Sequence, residues 1–248
     1  MEDILRETER EALSRTLSCL EKPQLKETYW EQGEFLTVED FLHQSVLDRF
    51  LDEVQQVRVR LNRNYIPGHK KGGSVSYYIL RQAAPTILAF YHSPLFLEQL
   101  SRLAGLPLLP CPEDDPHACA LYFYTQPGDH IGYHYDTSYY KGARYTVLIG
   151  LVDHSTSRLV CRLHTKEPGR SPRELALETP PGLLVFFNGD KLYHAVTPLQ
   201  EGEERIVLTM QYVTTQAMGP FHRWFSNMKD AVGYFGWPAL LRRSSRSR

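Results

Sequence analysis

The first third of the chain alternates apolar and charged positions at helical spacing. Between residues 2 and 21, Ile4, Leu5, Ala12, Leu13, Leu17 and Leu20 recur with Glu and Arg between them, which predicts an amphipathic helix that Pro23 ends. Residues 34–41 (EFLTVEDF) have the apolar spacing of a strand running into a turn. From Asp48 to Leu61, Phe50, Leu51, Val54, Val57 and Leu61 fall on one side of a second helix. Residues 67–73 (PGHKKGG) are polar and glycine-bearing, which predicts a solvated connection or, functionally, a mobile lid. Residues 84–105 read as further helix, with Leu95, Phe96, Leu100 and Leu103 as its buried stripe. The proline-rich stretch 106–116 (LPLLPCPEDDP) separates this helical part from the rest.

From Ala118 the texture changes. Runs rich in Val, Leu, Tyr and Phe follow at short intervals: ACALYFYT, RYTVLIGLV, SRLVCRLHT, GLLVFF and RIVLTMQYV. Turn residues separate them, at Pro127-Gly128, Asp153 to Thr156, Pro168-Gly169, Pro180-Pro181-Gly182 and Gly202. Strands without intervening helices predict an antiparallel sandwich or barrel. Residues 221–235 read as a closing helix in which Phe221, Trp224 and Phe225 pack back, and the basic tail 239–248 reads as disordered. The domain organisation expected is one unit, 1–238, with helical support over 1–117, a β core over 118–215 and the closing helix over 216–238. No internal repeat is present.

Composition narrows the classes. The 248 residues carry 28 Lys plus Arg against 29 Asp plus Glu, a formal charge of −1, so no electrostatic footprint for DNA or RNA is expected. Four cysteines, at 19, 111, 119 and 161, are too sparse for a disulfide framework and lack CxxC spacing. The opening MEDILRETER is acidic and has no apolar segment, unlike a secretory signal or transit peptide. The longest apolar runs, Val147 to Val152 and Leu183 to Phe187, are far short of the roughly 20 residues of a membrane span. A reducing, cytoplasmic setting is expected.

The chemistry concentrates in PGDHIGYHYD, residues 127–136. His134 and Asp136 are two apart, so on an extended chain an imidazole and a carboxylate point to the same side. His194 follows a later apolar run and could close a facial triad of two histidines and one carboxylate, an arrangement that holds iron(II) and leaves three coordination positions free. A His-x-Asp triplet alone carries little weight in a chain with 10 His. The order carries more: a turn, His-x-Asp, several strands, a His beside a strand, then Arg205 eleven residues on, able to hold a carboxylate through two parallel hydrogen bonds. His43, His69, His92, His117, His154, His164 and His222 are expected to be structural, while His130, four residues before His134, is an outside candidate for the pocket.

His134-Tyr135-Asp136, His194 and Arg205 resemble the signature of iron(II)/2-oxoglutarate-dependent oxygenases, and within them the prolyl-4-hydroxylase-like superfamily. The resemblance covers roughly residues 118–215 and reaches loosely to the EFLTVEDFL start. The 58-residue gap from Asp136 to His194 fits it, as does the Tyr-x-x-Pro-Gly pattern from Tyr124 to Gly128. It implies a mainly β core in an α+β chain: a double-stranded β-helix, or squashed jelly roll, flanked by N-terminal helices and a short C-terminal helix. It implies that His134, Asp136 and His194 bind Fe(II). Arg205 would pair with the distal carboxylate of 2-oxoglutarate, with Tyr124 and Thr209 beside it. O2 is the second co-substrate, 2-oxoglutarate becomes succinate and CO2, a substrate C–H bond is oxidised, and ascorbate is admitted as an auxiliary reductant. Two positions depart from the pattern. Leu151 stands where some members put a second tyrosine, which Tyr145 or Thr146 could replace. Ser157-Arg158 stands where Gly-Gly is frequent. The carboxylate of Asp136 argues against a halogenase.

For the substrate, the sequence offers an aromatic cluster (Tyr133, Tyr135, Tyr139, Tyr140, Tyr145), read either as core packing or as a gate over the metal. It also offers three arginines, Arg144, Arg158 and Arg162, any of which would suit a substrate carboxylate if it points inward. A small-molecule substrate such as an amino acid or related metabolite is the leading expectation. A peptide or protein side-chain hydroxylase is the alternative, and a metal-binding sensor or scaffold without turnover the third. A closed pocket capped by residues 67–75 would favour a metabolite, and a long open groove a polypeptide.

Overall fold

A computed structural model describes residues 7–136 and 140–217. The expected closing helix, the basic tail, the first residues of the N-terminal helix and Tyr139 lie outside the described residues. The order is α1 (Glu7–Ser18), a 3-10 turn (Cys19–Glu21), α2 (Pro23–Glu31), β1 (Phe35–Val38), α3 (Gln44–Arg58), β2 (Asn62–Ile66), β3 (Lys70–Val75), α4 (Tyr77–Ala83), α5 (Pro85–Tyr91) and α6 (Pro94–Ala104). There follow β4 (Leu109–Pro110), β5 (Cys119–Tyr124), β6 (His130–His134), β7 (Arg144–His154), β8 (Leu159–Leu163), β9 (Arg173–Leu177), β10 (Leu184–Asn188), β11 (Tyr193–Val196) and β12 (Glu204–Val213).

The strands join in the order β1-β10-β7-β12-β5-β3-β6-β11-β8-β9. The sheet curls into two facing layers, β1-β10-β7-β12-β5 and β6-β11-β8-β9, with β3 paired to both β5 and β6 as the hinge between them. This is the double-stranded β-helix with N-terminal helices. Strand alternation divides its interior into two cores. On β12, Ile206, Leu208, Met210 and Tyr212 turn outward and pack with Phe50, Val54, Phe90 and Phe96 of the helices. The intervening Val207 turns inward, where it meets Leu148, Leu159, Cys161, Val185 and Phe187 between the layers. Because β7, β10 and β12 are covered on both faces, they read as continuous apolar runs.

Several local expectations are corrected. Pro23 both ends the first helical segment and opens α2, at a position where its missing N–H is not needed. Residues 67–73 are not a free loop: they hold the turn of a β2–β3 hairpin, and β3 is buried in the sheet with Lys70 only 1% exposed. Glycines that let strands approach gave this segment a loop-like composition. Leu95 is 41% exposed, whereas Phe96, Leu100 and Leu103 form the buried stripe as expected. Strands β9 and β11 are short, and β9 is largely exposed, so neither made an apolar run.

Phe50 is fully buried and meets Phe90 edge-on at 5.5 Å between ring centres. Phe50→Ala is expected to cost about 3–5 kcal/mol, read as a lower denaturant midpoint at unchanged slope. A loss under about 1 kcal/mol would mean that the helices do not share the sheet's core.

Candidate metal centre

Strand β6 ends at His134, and β11 pairs with it antiparallel so that His194 stands directly across from His134. The two rings are 4.3 Å apart. Asp136 follows two residues later, with its Oδ1 at 3.4 Å from His134 Nε2 and 4.0 Å from His194 Nε2. One ligand atom from each of the three residues lies within 4.8 Å of the others. The Nδ1 of His134 faces the Gly132 carbonyl at 2.9 Å and that of His194 the Leu192 carbonyl at 3.3 Å. A carbonyl can only accept, so each Nδ1 carries a hydrogen, and each Nε2, once unprotonated, is the nitrogen that can give a lone pair to a metal.

Asp136 is held from two sides. Thr146 donates its hydroxyl to Oδ2 at 2.6 Å. The turn after β10 passes so close that a Cβ on Gly189 would stand 2.8 Å from Asp136 Cβ. That turn is fixed by Glu34, which is 5% exposed and accepts from Asn188 at 2.7 Å, from Tyr145 at 3.2 Å and from Lys191. Burial disfavours the Asp136 carboxylate, but the neighbouring His194 and His134 and the Thr146 hydroxyl outweigh it and hold the group well below the usual carboxylate range. Burial pushes His194 down to about 4. For His134 burial also acts downward, but the hydrogen bond and charge of Asp136 prevail and raise it. The centre therefore has an ionised carboxylate and a neutral His194, a donor set suited to a divalent metal.

A cavity of about 150 Å³ opens beside the triad. Register along β7 and β12 orders its wall: Arg144 at one end, then Thr146 and Gln211 level with Asp136, then Leu148 and Thr209, with Val207 and Tyr124 toward the other end. Arg205 lies beyond Val207, fully buried, its guanidinium carbon 5.3 Å from the centre of the Tyr124 ring. Its Nε donates to Thr179 Oγ1 at 2.7 Å, while Nη1 and Nη2 are buried without a hydrogen-bond partner. Thr179 is itself fixed by Asp153, whose Oδ2 accepts from its amide at 2.9 Å and its hydroxyl at 3.1 Å. Gly150 permits this approach, since a Cβ there would stand 2.3 Å from the Thr179 and Pro180 carbonyl oxygens. A buried cation with two unmet donors is costly, and a carboxylate is the group that would satisfy both.

The structure brings His134, Asp136, His194, Tyr124, Thr209, Tyr135 and Arg144 to this cavity. It does not bring Tyr133, Arg158 or Arg162. Inward positions on β8 are taken by Leu159, Cys161 and Leu163, so Arg162 lies on the opposite face, over the Tyr133 ring at 4.3 Å and bonded to Glu174. Arg158 pairs with Glu178. Tyr145 and Leu151 face the helices and not the metal, and Thr146 takes the inward place. His130 bonds the Gly128 carbonyl through Nδ1 at 2.8 Å, outside the cavity lining. Residues 67–75 do not cap the cavity. Thr179 and Gln211 escaped the sequence reading, His117, expected to be structural, lines the cavity, and Thr146, expected only as a stand-in for a tyrosine, holds Asp136. Thr146 could have been found as the residue two before Leu148 on the inward face, whereas Thr179 comes from a loop and left no signal.

No protein-family description matches the sequence, and neither does any curated protein. Solved structures share its fold. The epimerase SnoN, in complex with Fe3+, alpha ketoglutarate and nogalamycin RO, aligns with a TM-score of 0.64 at 15% identity, over 79% of this chain and 84% of that one. A Pseudomonas putida prolyl-4-hydroxylase aligns with a TM-score of 0.56 at 17% identity, over 79% and 98% of the two chains. A Trichoplax adhaerens prolyl hydroxylase, in complex with a hypoxia inducible factor oxygen degradation domain peptide fragment, gives 0.57 at 13% identity over 86% and 95%. The protein thus has the fold of 2-oxoglutarate-Fe(II) oxygenases.

Two outcomes follow from the centre. Gly189→Ala is expected to push Asp136 out of place and weaken iron(II) binding at least tenfold by metal titration, with the thermal transition retained. Unchanged affinity would mean that the turn does not position Asp136. Acid should also destabilise the metal-free protein. His117 and His194 have folded values pushed down to about 4 by burial. Between there and the ordinary value of 6.5 the unfolded chain binds protons that the folded one does not. Stability is therefore lost as pH falls from about 6.5 to 4. His117→Gln should flatten that slope in denaturant titrations across the window, and an unchanged slope would contradict the assignment.

Proposed function

We propose that the protein is an iron(II)- and 2-oxoglutarate-dependent oxygenase that oxidises a C–H bond of a small-molecule substrate. One observation carries the reading: a two-histidine, one-carboxylate triad opens on a cavity beyond whose far end a buried arginine keeps both terminal nitrogens unpaired. The triad fits iron(II) by donor type, and Arg205 fits the distal carboxylate of the co-substrate. When bound, iron(II), O2 and 2-oxoglutarate supply the oxidising chemistry, with succinate and CO2 as co-products and ascorbate as an admissible auxiliary reductant.

The chain's own work is placement. His134, Asp136 and His194 hold the metal on one face. Arg205 receives the far carboxylate, with Tyr124 and Thr209 in the wall beside it. Leu148, Leu159, Phe187 and Val207 keep water from that end. Asp136 supplies the third protein ligand, in keeping with hydroxylation-type chemistry. The small size of the cavity, about 150 Å³, favours a small molecule such as an amino acid or related metabolite, even though residues 67–75 do not cap it. The prolyl hydroxylase neighbours keep a peptide side chain as the second reading. The unmet nitrogens of Arg205 weigh against a metal-binding scaffold without turnover. The helical and β parts share one core, in keeping with a single oxygenase domain. The four cysteines are all free, as suits a reducing cytoplasm. Among the described residues no helix is long and apolar enough to cross a membrane.

Calorimetric titration of 2-oxoglutarate into anaerobic, iron(II)-loaded protein tests the reading. Arg205→Gln should weaken binding about tenfold to a hundredfold, the scale of hydrogen bonds to a charged group. Thr179→Val should weaken it about three- to tenfold while iron(II) affinity stays at the wild-type value, because Thr179 acts only by aiming Arg205. Wild-type affinity in Arg205→Gln would place the co-substrate elsewhere.

A further inference from the structure

We propose that the substrate carries a carboxylate and that Arg144 receives it, so that the enzyme acts on small carboxylic acids rather than on neutral molecules. This rests on the oxygenase reading above and names its substrate class.

Arg144 opens β7, two residues before Thr146, so the two side chains leave the same strand face. Thr146 holds Asp136, which sets Arg144 on the metal's side of the sheet. Relative to Asp136 it lies at the opposite end of the cavity wall from Arg205. The cavity is thus bracketed by two buried guanidiniums, 6% and 0% exposed, with the metal ligands between them. Arg205 answers to the co-substrate. Arg144 has no such assignment.

The surroundings of Arg144 fix it without using it up. Its Nη2 donates to Asp115 Oδ2 at 2.5 Å. That oxygen also accepts from Tyr140 at 2.8 Å, and Oδ1 accepts from the His117 amide at 2.8 Å. Asp115 is therefore fully engaged. A guanidinium has five N–H donors, and Arg144 Nε is buried without a hydrogen-bond partner. The other contact at hydrogen-bond range is Cys111 Sγ at 3.9 Å, a weak acceptor. The bland alternative is an ion pair that pins the segment around Asp115 to β7. Such a pair needs no place in a cavity wall and no spare donors.

The rest of that end accepts an anion. His117, Tyr122, Tyr135 and Gln211 line it and carry no negative charge. Lys70 is buried behind the same wall, with its Nζ 4.7 Å from the centre of the Tyr122 ring. Asp136 is the one carboxylate among the lining residues, and the metal claims it. A substrate carboxylate gripped by Arg144 would leave its carbon skeleton reaching back toward the triad.

The test uses holoenzyme with iron(II), 2-oxoglutarate and O2, and follows stimulated succinate formation. The probes are the twenty common L-amino acids and a set of short hydroxy acids, each beside its own primary amide. Acids should stimulate turnover, with each active acid at least tenfold better than its amide in kcat/KM. Arg144→Gln should raise KM for the active acid at least tenfold, with 2-oxoglutarate affinity at the wild-type value. Because that variant leaves Asp115 buried without its cationic partner, Arg144→Gln with Asp115→Asn serves as the folded control, and it should show the same loss of preference for acid over amide. Equal use of acid and amide, an unchanged KM in both variants, or no stimulation by any probe would overturn the proposal. Failure of the iron(II)-loaded protein to bind 2-oxoglutarate at all would instead overturn the oxygenase reading beneath it.

Discussion

The structure depends on one register. Strands β6 and β11 pair so that His134 and His194 oppose each other, and strand alternation then sends both rings to the inner face. A slip of one residue would send His194 to the outer face and put Ala195 or Tyr193 in its place. The register is protected by burial. Val196 on β11 is committed to the inner core, as are Leu159 and Cys161 on the neighbouring β8, and a shift in the pairing between His194 and Val196 lets Ile131 share that core with His134, three residues on. The candidate metal site is therefore placed by the apolar patterning of the strands that carry it.

The larger layer adds a second constraint by being covered on both faces. Its outward residues are spent on the helices, so that its inward residues are free to be functional. On β12 the inward set runs Val207, Thr209, Gln211, and on β7 it runs Arg144, Thr146, Leu148. Polar groups on that face sit in low-dielectric surroundings, where an unmet donor is expensive and a matched one strong. This explains why Arg205 is tied by Thr179 and Asp153 at one nitrogen while two others stay unpaired. Under the proposed function, the cost of these two unmet donors is the preorganisation of the site for a carboxylate.

Much of this was legible in the chain. His134 and Asp136 needed only the two-residue period of a strand, and Arg205 needed only its place opening an apolar run. The β core showed because fully buried strands read as unbroken apolar segments. What stayed hidden depended on partners distant in sequence. Thr179 meets Arg205 from a loop 26 residues away, and Glu34 braces the turn beside Asp136 across 154 residues. The hairpin of β2 and β3 was hidden for a different reason: Gly72, Gly73 and the polar Lys70 suggest a loop, and only pairing with β5 and β6 makes them a strand. Arg158 and Arg162 were read as able to point inward, but Leu159, Cys161 and Leu163 take the inward places on β8 and send Arg162 outward, while Arg158 pairs with Glu178. Arg144 differs because β7 is buried on both faces, so its inward end is available to a charged side chain that has a partner.

In the proposed function the triad and Arg205 form one centre in which iron(II) and 2-oxoglutarate bind together. It is tested most directly by the visible spectrum of anaerobic protein given iron(II) and then 2-oxoglutarate. The weak charge-transfer band of the metal-bound 2-oxo acid is expected in the wild type and its loss in His194→Ala. Iron shown to be bound without any band on adding 2-oxoglutarate would contradict it.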